Sequence, residues 1–294
     1  MLQAAVDNRH SQSLALLRSG SWTLHAVAWW HALLCAIAVL NIAVWSLSAM
    51  AVMHAHPVNQ GPTAAASYLQ LLLSAGYVAG CAFRCALPVF DIPRVVLIDS
   101  RLSSVLVGRS VATVAELCFA AQWALILHRM ALLSHSEPGR VAALMILPLI
   151  VIAEVCSWYA VLTTAQRAHA AENSIWGLSA ALLVASFLVM QPLKFAGVHV
   201  TMNVWCVGGA AYVAYIFLFD VPGYWSRWRA DQANGRRYLS IGQGLLDVWR
   251  RRVISHRWAV WKNEVLWMSL YFTFGVWSSI SLVYASISLA GQPD

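Results

Sequence analysis

Two carboxylates stand where an apolar chain has least reason to carry them. Glu116 occurs in Val-Ala-Glu-Leu-Cys and Glu154 in Ile-Ala-Glu-Val-Cys, each inside a long hydrophobic run. A charge at the centre of a bilayer costs about 2.5–3.5 kcal/mol on insertion scales. Such residues therefore need shelter between helices, a partner, or a bound proton. Desolvation and mutual repulsion would leave one protonated and the other ionised, a division that suits an acid and a base or a proton relay. The plainer alternative is that the two glutamates hydrogen-bond two helices together.

Arg109 precedes Glu116 by seven residues on the same helical face, with Thr113 between them. At 1.5 Å rise per residue the offset is about 10 Å, too far for a direct pair without water or an intervening group. Phe119 and Trp123 continue that face, while Ser157 and Trp158 flank Glu154. An aromatic space lined by Trp123 and Trp158 would suit a hydrophobic substrate or a cation held by ring faces. Ordinary helix packing explains the same residues.

A second constellation holds Arg84, Asp91, Arg94, Asp99, Arg101, Arg109 and Asp220. It is expected to form a salt-bridge network tying the second, third and sixth helices. The alternative gives Arg84, Arg94, Arg101 and Arg109 a substrate role, gripping a phosphate or carboxylate. The aspartates lack the spacing of a paired diphosphate–metal motif.

Histidine offers weaker chemistry. His54 and His56 lie close together, and with His128 or His199 they have the donor types for zinc or copper. His31, on a face with Cys35, Asn41 and Trp45, is read as a hydrogen-bonded core residue rather than a haem ligand, since no second histidine stands at matching depth. No Glu-x-x-His or His-x-x-x-His pair falls on a helix. No metal site is assigned, and the cofactor is left open. The six cysteines all lie in apolar segments and are read as reduced core residues.

The elements that must position these groups are membrane helices. Residues 19–83 contain no Asp, Glu, Lys or Arg, and the whole chain is 60% hydrophobic and 11% charged. Soluble domains run near 45–50% and about 25%. Seven segments have the roughly 20 apolar residues a crossing needs: about 26–50, 67–89, 104–127, 141–163, 174–193, 201–220 and 265–289. Gly, Pro and polar residues punctuate the connections at 56–62, at Pro88 and Pro93, at 136–139, at Gln191-Pro192 and at Val221-Pro222-Gly223. The runs do not alternate, which argues against barrel strands. The expected fold is an all-α polytopic membrane bundle of about seven transmembrane helices, a single transmembrane domain over 1–294. Eighteen fairly polar residues precede the first segment, which is too long for a cleavable signal's apolar region.

Basic residues orient the bundle. With the N-terminus inside, sixteen of the nineteen Lys and Arg residues fall on the inner side, leaving only Arg129, Arg140 and Lys194 outside. The C-terminus is then outside. Nine of the sixteen lie in the 221–264 loop, where Leu245, Trp249 and Val253 share a helical face beside arginines. This has the pattern of a basic amphipathic helix in the headgroup plane. It serves as a positive-inside anchor, or as a docking site for a membrane protein partner or a specific lipid. The net charge of +7 thus points to membrane lipids and not to nucleic acid. Several tryptophans (Trp22, Trp29, Trp30, Trp225, Trp228, Trp261, Trp267) are placed at the interfaces.

Three functions fit these residues. The leading one is an intramembrane enzyme acting on a lipophilic small molecule, with Glu116 and Glu154 as acid and base and the rim arginines steering an anionic group. The second is a proton-coupled transporter or channel. Interruptions at Pro148 in the fourth helix and Gly208-Gly209 in the sixth bear on it, although no half-to-half repeat accompanies them. The third is a non-catalytic membrane subunit or assembly factor. Heavy use of Ala and Arg suits a bacterial inner (plasma) membrane.

Overall fold

The structure, a computed structural model, describes residues 2–55, 61–92, 94–190 and 198–290. Side chains are described for 25–54, 64–92, 94–190, 198 and 200–290. His56, Pro93, Gln191, Pro192 and Lys194 lie outside the described residues, as do the side chains of Arg9, Arg18, Trp22 and His199.

Helices α1 (Leu2–Ala55), α2 (Gly61–Ala86), α3 (Val105–Leu133), α4 (Glu137–Thr163) and α5 (Gln166–Met190) follow one another. The sixth apolar span joins α6 (His199–Tyr215) to α7 (Val221–Ala233) through a π-helical turn, Ile216–Asp220. After the short α8 (Ile241–Arg250), the seventh span joins α9 (Trp258–Leu270) to α10 (Val276–Ala290) through a second π turn, Tyr271–Gly275. Among the described residues, seven helical spans are long and apolar enough to cross a membrane. The protein is a multi-pass membrane protein built as an all-α bundle.

Each of the first five helices packs against the next, and α5 against both halves of the sixth span. The seventh span closes the bundle, with α10 against α1, α2, α3 and α6. In lipid there is no hydrophobic drive to bring apolar helices together, so close packing of small residues takes its place. Gly80 on α2 is such a contact, because a Cβ there would stand 2.6 Å from the methyl of Ala115 on α3.

Boundaries shift where caps outweigh hydropathy. Ser136 caps α4 by accepting from Gly139 N, and Pro138 sits in the first turn, where no helical N–H is needed. The Ser-Glu-Pro-Gly segment is thus the helix start itself. α1 is helical from Leu2, well before the apolar segment begins, and α5 begins at Gln166, eight residues earlier than its hydropathy suggests.

Val221-Pro222-Gly223 does not end the sixth helix. Pro222 lacks the N–H that would bond the carbonyl four residues back, but that carbonyl belongs to Leu218, inside the π turn, where bonds run five residues ahead. The helix continues to Ala233, and Arg227 and Arg229 ride on it. Nor do Pro148 or Gly208-Gly209 break their helices. The real irregularities are the two π turns. Asn41 of α1 holds the second by donating to the carbonyl of Phe272 at 2.8 Å while accepting from Trp277 Nε1 at 3.0 Å.

At the end of the bundle where α3 starts, three two-residue strands form a small sheet that hydropathy did not suggest. β1 (Val89–Phe90) pairs antiparallel with β2 (Val95–Val96), and β2 pairs parallel with β3 (Val253–Ile254). Val253 therefore lies on a strand and shares no helical face with Leu245 and Trp249. α8 also does not lie free on a surface. Gly244 packs so closely on α4 that a Cβ there would stand 2.1 Å from the carbonyl oxygen of Leu162. Two residues expected at an interface are likewise interior: Trp30 and Trp261 are buried against each other, with ring centroids 5.5 Å apart.

Gly244→Ala should force α8 off α4, at a cost of about 1–3 kcal/mol typical of overpacking. Limited trypsin digestion of the detergent-solubilised protein should then cut faster at Arg250–Arg252 than in the parent chain. Gly242→Ala, where a Cβ meets open space, should leave the rate unchanged.

Candidate functional site: a carboxylate cluster on one arginine

Arg109, Thr113 and Glu116 line one face of α3, and Glu154 and Trp158 face them from α4. Arg109 Nη2 donates to Glu116 Oε2 at 2.8 Å and to Glu154 Oε2 at 2.7 Å. The direct pair with Glu116 overturns the expectation that 10 Å of helix keeps the two apart. Side chains on a helix lean toward its N-terminus, so Glu116 reaches back while the long Arg109 chain covers the remainder. Glu154 Oε2 also accepts from Thr113 Oγ1 at 2.5 Å, and Thr113 in turn accepts from Trp158 Nε1 at 3.0 Å.

The cluster extends to two more spans. Glu172 Oε1 of α5 lies 4.0 Å from Arg109 Nη2, and its Oε2 lies 2.8 Å from His169 Nδ1. The His169 ring stacks on Tyr224 of α7, with centroids 5.2 Å apart, and Arg227 covers the other ring contact of Tyr224 at 4.8 Å. Tyr271, in the second π turn, donates to Glu116 Oε1 at 3.4 Å. One guanidinium thus faces three carboxylates, and Glu154 Oε1 and Arg109 Nε are buried without a hydrogen-bond partner.

The carboxylate oxygens of Glu116 and Glu154 that share Nη2 lie no farther apart than the two bonds laid end to end. At about 5 Å and an effective dielectric near 20, two full negative charges repel by about 3 kcal/mol.

Toward the other end of α3 the site is closed by rings. Tyr77 stacks on Phe119 at 4.5 Å, Phe119 meets Trp123 edge-on at 6.0 Å, and Trp123 meets Trp205 at 5.1 Å. Trp123 therefore belongs to this packed layer, and it is Trp158 that joins the carboxylates. Beside the layer lies a neutral knot of Gln70, Ser74, Gln122 and Ser279, all buried. Ser279 Oγ donates to Gln122 Oε1 at 2.6 Å, and Gln70 and Gln122 exchange bonds with each other's backbone carbonyls.

The four arginines of the rim do not meet. Arg84 donates to the carbonyls of Gly108 and Val89, tying α2 to α3. Arg94 bonds Asp247, the carbonyl of Asp91 and the carbonyl of Val161. Arg101 is exposed on the turn Arg101–Ser103, and Asp99 pairs with Arg252 at 3.5 Å. Asp220 lies in the first π turn, away from the strands. The expected single network is instead a set of separate ties, because backbone carbonyls of the strands, turns and helices compete for the same guanidinium donors.

His31 Nε2 lies 3.0 Å from the carbonyl of Ala86 at the end of α2, and His54 bonds the carbonyl of Met50 on its own helix. Among the described residues, no group of three or more His, Cys, Asp or Glu side chains converges as a metal site would require. Hydropathy does not mark His169 and Glu172, which precede the apolar run that begins at 174. The signal was a His-x-x-Glu spacing, the reverse of the Glu-x-x-His sought.

Comparison of the chain with protein-family models, with curated proteins and with solved structures finds no match.

Removing Arg109 leaves buried carboxylates without their cation, a loss of about 3–5 kcal/mol for a broken buried pair. Arg109→Ala should lower the thermal midpoint in detergent sharply. Arg101→Ala, at an exposed position, should stay within about 0.5 kcal/mol of the parent. Equal midpoints for the two variants would show that the cluster does not hold α3, α4 and α5 together.

Proposed function

We propose that this protein is a proton-coupled membrane transporter in which Glu116 and Glu154 together carry the proton. The observation that supports this most directly is the sharing of Arg109 Nη2 by both carboxylates. One cation cannot neutralise both, so a proton added to either relieves their repulsion. Glu172, His169, Tyr224 and Arg227 form a chain of contacts (an ion pair, a ring stack and a cation–π contact) leading from the pair toward the end where α4 turns into α5. In the opposite direction the aromatic layer and the neutral Gln70–Gln122 knot hold no carboxylate, histidine or arginine, so the readier route for proton exchange is through Glu172 and His169.

The coupling element is the second π turn. Tyr271 donates to Glu116 from within it, and π turns inside α-helices concentrate at functional sites. Protonation of Glu116 weakens its hold on Arg109 and Tyr271, freeing a turn whose carbonyl ladder is already irregular. The excess of basic residues at that end favours the inner side for it, and heavy Ala and Arg use favours a bacterial inner membrane.

A second reading, an intramembrane enzyme for a lipophilic substrate, is favoured by one observation. A cavity of about 430 Å³ lined by Val155, Cys156, Tyr159, Arg167, Ala168, Ala171 and Trp225 opens between α4, α5 and α7. It is almost wholly apolar, but neither Glu116 nor Glu154 lines it.

Infrared difference spectra of the reconstituted protein across a pH step should show a carboxyl band that gains intensity on acidification. Glu116→Gln and Glu154→Gln should each remove or shift it, and proton uptake measured with a dye should fall by about one per chain. An unchanged band in both variants would defeat the proposal. Ala171→Trp, which fills the cavity, should leave the band intact; if the band were lost with the cavity filled, the enzyme reading would gain.

A further inference from the structure

A second cavity, of about 260 Å³ and more polar than the first, lies at the end of the bundle that carries the small sheet. Four separate segments supply its polar lining: Arg94 beside β2, Thr164 at the α4–α5 turn, Arg236 and Arg237 after α7, and Asp247 and Arg251 at the end of α8; Ile92 and Leu239 complete it. We propose that this cleft binds a phosphate group.

The cleft is built rather than incidental. Arg94 is only 2% exposed and adopts φ 72°, a left-handed conformation that a side-chain-bearing residue holds only under constraint. The constraint is visible: its guanidinium bonds Asp247 Oδ2 at 2.9 Å and the carbonyls of Asp91 and Val161 at 2.7 Å each, while its own carbonyl accepts from Val253 N at 2.9 Å. Thr164, also left-handed at φ 62°, ends α4. The segment after α7 is brought back over that turn by the bond from Leu239 N to Thr163 O at 3.1 Å.

The charges do not cancel. Arg94, Arg236, Arg237 and Arg251 contribute four positive charges. Asp247 is engaged by Arg94 at 2.9 Å and stands 3.8 Å from Arg251, and Asp231 is engaged by Arg236 at 3.1 Å. Two positive charges remain in excess, on side chains whose forked donors match phosphate oxygens. Arg237 is exposed, and no carboxylate pairs with it among the described residues. Arg236 also reaches Thr164 Oγ1 at 3.5 Å, which orients the hydroxyl region of the cleft.

The phosphate could arrive on a lipid or free in solution. α8, which supplies Asp247 and borders Arg251, leaves Ile241, Leu245, Leu246 and Trp249 about half exposed. Such a face accommodates acyl chains beneath a headgroup, whereas a soluble phosphate has no use for it.

The test uses the full-length chain purified in detergent, with Arg237→Ala/Arg251→Ala as the variant and Arg140→Ala, at the other end of the bundle, as the control. Retention of phosphatidylglycerol against phosphatidylcholine is read by native mass spectrometry, and stabilisation by inorganic phosphate by thermal shift. The double variant should retain phosphatidylglycerol at least about tenfold less, the effect of losing even one of its two charge-assisted contacts, while the control matches the parent. A loss confined to the lipid arm identifies a headgroup site, and a loss confined to the inorganic phosphate arm identifies a soluble ligand. If the double variant does not stay monodisperse, Arg237→Ala alone removes a side chain that pairs with no carboxylate and is read the same way. Equal retention and equal stabilisation in parent and variant would overturn the proposal.

Discussion

The bundle turns on one guanidinium. Arg109 sits among apolar helices, and its Nη2 holds carboxylates from α3 and α4 and stands within 4.0 Å of one from α5. Desolvating a cation and several anions costs several kcal/mol per ion, which a single good contact does not recover. What offsets it is the convergence of donors on the same acceptors: Thr113 on Glu154, Trp158 on Thr113, Tyr271 on Glu116. Three helices are placed relative to one another by this requirement, since moving any of them strands a charge. The same convergence leaves more negative than positive charge, and the proposed proton chemistry follows from that imbalance.

Around this cluster the bundle divides by chemistry. On one side lie ionisable groups, Glu172, His169, Asp220 and Arg227. On the other lie stacked rings and a knot of amides and hydroxyls that satisfy each other completely apart from Gln70 Oε1. The neutral knot ties α2, α3 and α10 together without introducing a charge. The two π turns occur in the spans that border the cluster, where Asp220 and Tyr271 reside. The irregular backbone therefore falls beside the carboxylate cluster, while the helices that carry Glu116, Glu154 and Glu172 themselves are regular.

Apolar span length was readable residue by residue, because crossing a bilayer needs a fixed run of apolar side chains and little else. Glu116 and Glu154 were legible for the same reason: they are conspicuous in such a run. Helix ends were harder. Ser136 and Pro138 look like a turn in isolation and are an N-terminal cap in context. Pro222 looks like a terminator, and a π turn carries the helix past it. His169 and Glu172 were lost with the early start of α5. The arginines of the rim are close in sequence, but Arg84 takes backbone carbonyls, Arg94 takes two carbonyls and an aspartate 153 positions away, Asp247, and Arg109 takes glutamates.

Sequence alone thus established that the chain is a multi-span helical membrane protein with two carboxylates in its apolar spans, since hydropathy is a property of each residue and adds along the chain. Tertiary structure alone decided that Arg109 bridges both, that Glu172 and Tyr271 join them, and that Arg94 meets Asp247. Those facts depend on which faces of which helices come together. The reach of a side chain across that gap is only a few ångströms, so no spacing along one helix can reveal it.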